Sequence, residues 1–179
     1  PMKYVIDSPD SFSESLALDE ALLEYLESEP EADALLRFWS IERYGAVLGY
    51  SNKVSTEIDA EGLERIGGAV YRRTSGGGTV LIGPGCLSYS LILRCDGASE
   101  FATIGGANRL VMAKNARAVE RLGRRPISVR GHTDLVWGDR KFCGNAQRRK
   151  QRAFLFHGVL LLSMRLDTIE TALRFPSIA

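Results

Sequence analysis

The chain has 179 residues, 45% hydrophobic and 25% charged, with 23 basic and 22 acidic side chains for a formal net charge of +1. That length suits one domain with a substantial core, and the near-neutral charge excludes a general polyanion binder, so no nucleic acid is expected as a partner. No apolar run approaches the roughly 20 residues of a membrane span, so no membrane is expected either. The odd count of 3 cysteines fits free thiols in a reducing cytoplasm.

Met2 to Ile6 is an apolar strand, ended by the breaker cluster Ser8-Pro9-Asp10-Ser11. Ser11 or Ser13 can cap the helix that follows. Its apolar residues Leu18, Leu22, Tyr25 and Leu26 recur at helical spacing, and Glu29-Pro30 ends it. Asp19 and Glu20 fall near that apolar face and read as a solvated rim. Ala34–Trp39 and Ala46–Tyr50 read as strands, and Thr56 to Ile66 as a helix stopped by Gly67-Gly68. Ala69–Arg73 and Val80–Ile82 are strands on either side of a glycine run. Leu87–Leu93 is a longer strand with Leu87, Tyr89, Leu91 and Leu93 on one face. Phe101 to Leu122 is the longest helix. Ile127–Val129, Leu135–Trp137, Lys141–Ala146 and Phe154–Leu162 are further strands, and a short helix, Thr168–Leu173, stops near Pro176. Many strands on hairpin-length connections, interrupted by a few long helices, predict an α+β fold rather than an alternating parallel sheet.

The glycine run carries the first functional signal. Arg72-Arg73-Thr74-Ser75-Gly76-Gly77-Gly78-Thr79 has three residues without a Cβ, so a ligand can lie directly on the backbone. Its peptide N–H groups can form a concave anion site. Ser75 and Thr79 add hydroxyls, and Arg72 and Arg73 add fixed positive charge, which together suit a phosphate or carboxylate. The competing reading is a glycine-rich hairpin with no ligand. A Walker loop is excluded because Gly-Lys-Ser/Thr is absent, and a dinucleotide fingerprint because a strand follows the glycines where a helix should start.

A second constellation is Gly138-Asp139-Arg140-Lys141-Phe142-Cys143-Gly144-Asn145-Ala146. The period-two rule puts Lys141 and Cys143 on one face. A lysine there either sits at a sheet edge, where it blocks strand pairing, or points into a site. His157, in the apolar run Phe154–Leu162, is either a core histidine with a satisfied ring or part of that site. No cysteine and histidine spacing makes a zinc site.

In order and spacing, Arg72-Arg73-Thr74-Ser75-Gly76-Gly77-Gly78, the Lys141 segment and Phe156-His157-Gly158 resemble the lipoate–protein ligase A family, within the biotin/lipoate ligase and octanoyltransferase group. Ser15 to Glu20 and the pair Arg37-Phe38-Trp39 and Leu48-Gly49-Tyr50 carry the same likeness, which covers roughly residues 12–175. The resemblance implies a mixed, mostly antiparallel sheet backed by helices, of the kind shared by class II aminoacyl-tRNA synthetases and biotin ligases. It implies one catalytic domain over 1–179, with the small C-terminal accessory domain of many relatives absent, truncated or supplied as a separate chain. The implied activity is activation of lipoate or octanoate with ATP and Mg²⁺ to an acyl-AMP. The acyl group then passes to a lysine of a lipoyl domain, in a 2-oxoacid dehydrogenase complex or a glycine cleavage H protein.

By the same resemblance, Lys141 bridges the carboxylate and the α-phosphate. Arg72, Arg73, Ser75, Gly76, Gly77, Gly78 and Thr79 hold the acyl-adenylate. Asp134 helps to place Mg²⁺ and phosphate, Gly144, Asn145 and Ala146 line the pocket, and His157 is a site wall. Strands around Leu81, Tyr89 and Leu160 are expected to form a tunnel for the acyl chain. Gly83-Pro84-Gly85 looks more like the octanoyltransferase branch, which moves octanoate from acyl carrier protein without ATP. The alternative is therefore such a transferase, using Lys141 with Cys143 or Cys86 as nucleophile. A lipoyl- or nucleotide-binding relative without catalysis is the third reading.

Overall fold

The computed structural model describes residues 1–95 and 99–174, so the expected helix stop at Pro176 lies outside the described residues. The strands are β1 (Met2–Asp7), β2 (Ala34–Trp39), β3 (Gly45–Leu48), β4 (Ala69–Arg72), β5 (Val80–Ile82), β6 (Cys86–Arg94), β7 (Ser128–Arg130), β8 (Asp134–Trp137), β9 (Arg140–Arg149) and β10 (Ala153–Leu161). The helices are α1 (Phe12–Ser28), α2 (Val54–Glu57), α3 (Ala60–Arg65), α4 (Ile104–Gly123) and α5 (Leu166–Ala172).

Seven strands form one sheet in the order β1-β2-β6-β10-β9-β8-β7, and three form a second in the order β4-β3-β5. Only β1 with β2 and β3 with β4 pair in parallel, so the expected α+β fold with a mixed, mostly antiparallel sheet is the fold the chain adopts. Both faces of the large sheet are covered. One face packs on α4 through Val111, Met112, Cys143, Phe154 and Phe156. The other meets α1 through Leu23, Leu26, Ile92 and Leu155, and the small sheet through Trp39, Val47, Leu81, Cys86 and Val159. This double burial explains why β6 and β10 read as nearly continuous apolar runs.

Three local expectations are corrected. The helix expected over Thr56–Ile66 is two helices. Ile58 pairs with Leu173 in an isolated bridge, Asp59 donates its N–H to Ala172, and the Asp59 carboxylate then caps α3 by accepting from Gly62 N at 2.7 Å. The long helix starts later than Phe101, because the Thr103 hydroxyl caps it at Gly106 N, 3.0 Å away. Finally, the buried stripe of α1 is Phe12, Ser15, Asp19, Leu23 and Leu26, whereas Leu18 is 39% and Tyr25 52% exposed. A stripe with two polar residues at its centre can be buried only if something satisfies them. Arg37, 1% exposed on β2, does so.

Candidate active site

The glycine run is not a hairpin. β4 and β5 flank β3 on opposite sides, so residues 73–79 must cross the end of β3. The crossing is pinned where Tyr50 N donates to Ser75 O at 2.9 Å. Gly77 has φ +89, a left-handed conformation that disfavours other residues. Gly76, Gly77 and Gly78 are exposed, and a Cβ on Gly76 or Gly78 would meet nothing within 4 Å, so the turn is open on its outer side.

The side chains expected to bind a ligand instead brace this turn from behind. Arg73 is 8% exposed, and its Nε donates to Ser75 Oγ at 2.9 Å. Its remaining donors reach Val47 O, Gly76 O and Gly78 O at 3.1, 2.7 and 2.8 Å. Burial pushes its pKa down to about 10, with Glu57 opposing, and it stays charged at neutral pH. Arg72 Nη1 is held by Gly49 O, Tyr50 O and Asn52 O. On the far arm, the Glu57 carboxylate accepts from Thr79 Oγ1, from Thr79 N at 3.1 Å and from Asn52 Nδ2 at 2.7 Å.

The Thr79 hydroxyl bond holds the Glu57 carboxyl below the usual glutamate range, with Asn52, the Thr79 amide and Arg73 adding to it against the cost of burial. A depressed carboxyl stabilises above its ordinary pKa and loses that contribution as pH falls through the folded value. The Thr79 amide proton is therefore expected to titrate, by NMR, with a midpoint below the ordinary glutamate value, and not to titrate in Glu57→Gln. A midpoint at or above that value would refute the anchor.

A second set of residues meets the turn from the large sheet. A Cβ on Gly77 would lie 3.7 Å from Ala146 Cβ, so the turn rests on β9. Ala146 pairs with His157 of β10, and His157 Nε2 is 2.6 Å from Ser75 Oγ. Two residues along β9, Gly144 pairs with Asp134 of β8. Lys141 Nζ is 2.8 Å from Asp134 Oδ2 and 3.4 Å from where a Gly144 Cβ would stand. A spacing of two residues is about 7 Å along a strand. One face thus collects Arg73, Ser75, Gly77, Asp134, Lys141, Gly144, Ala146 and His157. Lys141 pairs with Val136 of β8 and lies beyond Cys143, where the pairing of β9 with β10 ends, and its ammonium turns to Asp134 on this face.

Cys143 and Asn145 are not on that face. A bulge shifts the register between Leu135 and Val136. Leu135 pairs with Cys143 while Val136 pairs with Lys141, which leaves Phe142 as the extra residue. The expected shared face of Lys141 and Cys143 is therefore corrected: Cys143 turns into the core beneath α4, 1% exposed, and burial pushes its thiol up to about 12. Cys86 is also a core thiol, beside Met164, and burial raises its pKa. Asn145 reaches the α4 side, where Oδ1 accepts from the Tyr89 hydroxyl and Nδ2 donates to Thr133 O at 2.6 Å. It supports the segment that presents Asp134 from behind. A Cβ on Gly158 would run into Asn145 Oδ1, so this seat needs glycine there.

The expected tunnel is corrected as well. Leu81 lies under the small sheet, while Tyr89 and Leu160 face α4, so the three share no cavity. A cleft of about 250 Å³ opens instead between α1 and the strand entering the glycine turn, lined by Leu16, Ala17, Glu20, Tyr71, Arg73 and others.

The sequence reading missed a buried chain behind His157. Asp19 Oδ2 lies 3.7 Å from His157 Nδ1 and 2.5 Å from Ser90 Oγ, and Asp19 Oδ1 accepts from Arg37 Nη1 at 2.7 Å. Burial would raise the Asp19 carboxyl, but His157, Ser90 and Arg37 together bring it below its usual value. The signal was present: Ser15 and Asp19 sit at i, i+4 inside the stripe that starts at Phe12 and continues to Leu23.

The lipoyl protein ligase A/B catalytic domain matches residues 11–178. Lipoate-protein ligase A subunit 1 of Thermoplasma acidophilum is 30% identical over 178 residues, covering 96% of this chain and 66% of that protein. Octanoyltransferase LipM of Brevibacillus brevis is 26% identical over 197 residues, covering 98% of this chain and 71% of that protein. The crystal structure of a lipoate-protein ligase A bound with ATP superposes with a TM-score of 0.85 at 24% identity, over 98% of this chain and 72% of that one, which establishes a common fold. With the family domain matched over nearly its whole length, the chain belongs to the lipoyl protein ligase A/B catalytic domain family.

Proposed function

We propose that this chain is a catalytic domain of an ATP-dependent lipoate–protein ligase. The observation that carries the choice of ligase is the absence, among the described residues, of a thiol on the Lys141 face. Cys143 and Cys95 lie in the core under α4, and Cys86 lies under the small sheet. A transferase that forms a thioester would have to open the sheet to reach any of them. An adenylating enzyme needs no nucleophile of its own.

In the first half-reaction, a carboxylate oxygen of lipoate or octanoate bonds to the α-phosphorus of ATP, and pyrophosphate leaves. In the second, a lysine amine of a lipoyl domain attacks the acyl carbon, an amide forms and AMP leaves with the bonding pair. Both substrates of the first step are anions. Lys141, 55% exposed, would lie between them, and the open N–H groups of Gly76–Gly78 would offer a neutral cradle to a phosphate oxygen. The acyl chain would occupy the cleft between Leu16, Ala17 and Tyr71. Asp134 is a single carboxylate, and no cluster of three acidic, histidine or cysteine ligands exists among the described residues. It suits a Mg²⁺ site of the kind that substrate phosphates complete, where the ion would offset phosphate charge. Acceptors would be lipoyl domains of 2-oxoacid dehydrogenase complexes or the glycine cleavage H protein.

The second reading, an octanoyltransferase, is favoured by the LipM relative and by Gly83-Pro84-Gly85. Lipoate-dependent exchange of pyrophosphate into ATP separates the two. The purified chain is expected to catalyse it. No exchange, together with octanoyl transfer from acyl carrier protein to a lipoyl domain, would overturn the ligase reading.

A further inference from the structure

We infer that Asp19 is a positioning residue of this site: from α1 it fixes the tautomer of His157, and through Ser75 it fixes the glycine turn. Arg37 anchors this chain of contacts. Its Nε and one Nη2 bond reach Asp7 Oδ2 at 3.2 and 3.0 Å. Its other bonds reach Ser15 O at 2.9 Å, Asp19 Oδ1 at 2.7 Å and Ser15 Oγ at 2.8 Å. All five guanidinium donors are engaged, so Arg37 cannot swing away without leaving buried N–H groups unpaired. Asp19 is thereby clamped, and its second oxygen is presented to Ser90 and His157.

For the neutral imidazole, the direction of every proton along the chain then follows. A carboxylate 3.7 Å from Nδ1 favours the proton on that nitrogen, which leaves Nε2 as an acceptor. The group 2.6 Å from Nε2 is the Ser75 hydroxyl, so Ser75 donates to it. Ser75 Oγ in turn accepts from Arg73 Nε, whose other end grips Gly76 O and Gly78 O. With the opposite tautomer, Nε2–H would face a serine oxygen that already receives Arg73, and the Ser75 proton would have no partner among the described residues. Asp19 thus specifies how Ser75 and Arg73 hold the turn, although neither of its oxygens touches the turn. The Ser75 hydroxyl serves the protein rather than a ligand, which leaves recognition to the Gly76–Gly78 backbone.

The test is the ¹⁵N spectrum of the histidine side chains in the full chain, read by two-bond ¹H–¹⁵N correlation. There are 2 histidines, and His132 is exposed, so His157 is readily assigned. The neutral form of His157 is expected as the Nδ1–H tautomer, with Nε2 shifted in Ser75→Ala by loss of its hydroxyl donor. Asp19→Asn is expected to convert or mix the tautomers. The role in turnover rests on the ligase reading, and there Asp19→Asn should lower kcat for pyrophosphate exchange by about 10- to 100-fold, with the KM for lipoate little changed. An Nε2–H tautomer in the wild-type protein overturns the inference whatever the activity, as does an unchanged tautomer in folded Asp19→Asn. If that variant does not fold, the wild-type and Ser75→Ala spectra decide. Correct tautomers in a protein without exchange activity would refute the ligase reading and leave the positioning assignment intact.

Discussion

Lys141→Ala is expected to reduce adenylate formation by about 10²–10³-fold, the usual cost of deleting one preorganised charge-stabilising donor. Folding should be almost untouched. Lys141 pairs with Asp134 at 2.8 Å, but the two side chains are 55% and 31% exposed. A surface pair of that kind contributes about 0–1 kcal/mol, so the melting temperature should move by no more than about 4 °C for a domain of this size. Loss of rate without loss of stability is what separates a catalytic lysine from a structural one.

Lys141→Arg sharpens the test. The ammonium is a compact charge seated over Gly144, 3.4 Å from where a Cβ would begin. A guanidinium keeps the charge but is planar and forked, so it should restore only part of the rate. Pyrophosphate exchange and thermal denaturation on the same preparations check both statements. Wild-type exchange in Lys141→Ala would remove Lys141 from the chemistry.

The fold class was legible because it depends on local pattern: alternation over the strands, glycine and proline between them, and caps such as Ser11, whose side chain accepts from Glu14 N at 3.3 Å. The glycine turn, Lys141 and His157 were legible for the same reason, since each stands out from its neighbours in residue type. Side-chain direction was less legible. The period-two rule assigns Cys143 to the Lys141 face, and a single bulge at Phe142 reverses that assignment. Helical spacing selects Leu18 and Tyr25 for the core, and Arg37 on another strand decides otherwise by making Ser15 and Asp19 buriable. Both failures have one cause. They turn on pairing with another strand, β8 for the bulge and β2 for Ser15 and Asp19, which the pattern within one element does not contain. Glu57 was missed likewise, because its partner Thr79 lies 22 residues downstream.

Arg37→Met should give the largest loss of stability. It removes the partner of a carboxylate whose side chain is 4% exposed. Breaking one side of a buried pair costs about 3–5 kcal/mol, which for a domain of this size is a fall of about 6–20 °C in melting temperature. Asp7, 30% exposed, can turn to water; Asp19 cannot. Adding Asp19→Asn to Arg37→Met should therefore recover part of the loss, since no buried charge is then left unpaired, and the departure from additivity measures the coupling. The gap between variant and wild type should also depend on pH. In the wild type the Asp19 carboxyl lies below its unfolded value, so its contribution is present above that value and fades as pH falls through the folded one. In Arg37→Met one of the influences that lower the carboxyl is gone while His157 and Ser90 remain, so its value moves up from that of the wild type, less stability is lost on acidification, and the gap to the wild type should narrow. Thermal melts of wild type, both single variants and the double variant at several pH values test this. Equal losses at every pH would mean that Arg37 acts by packing alone, and that Asp19 carries no charge in the folded protein.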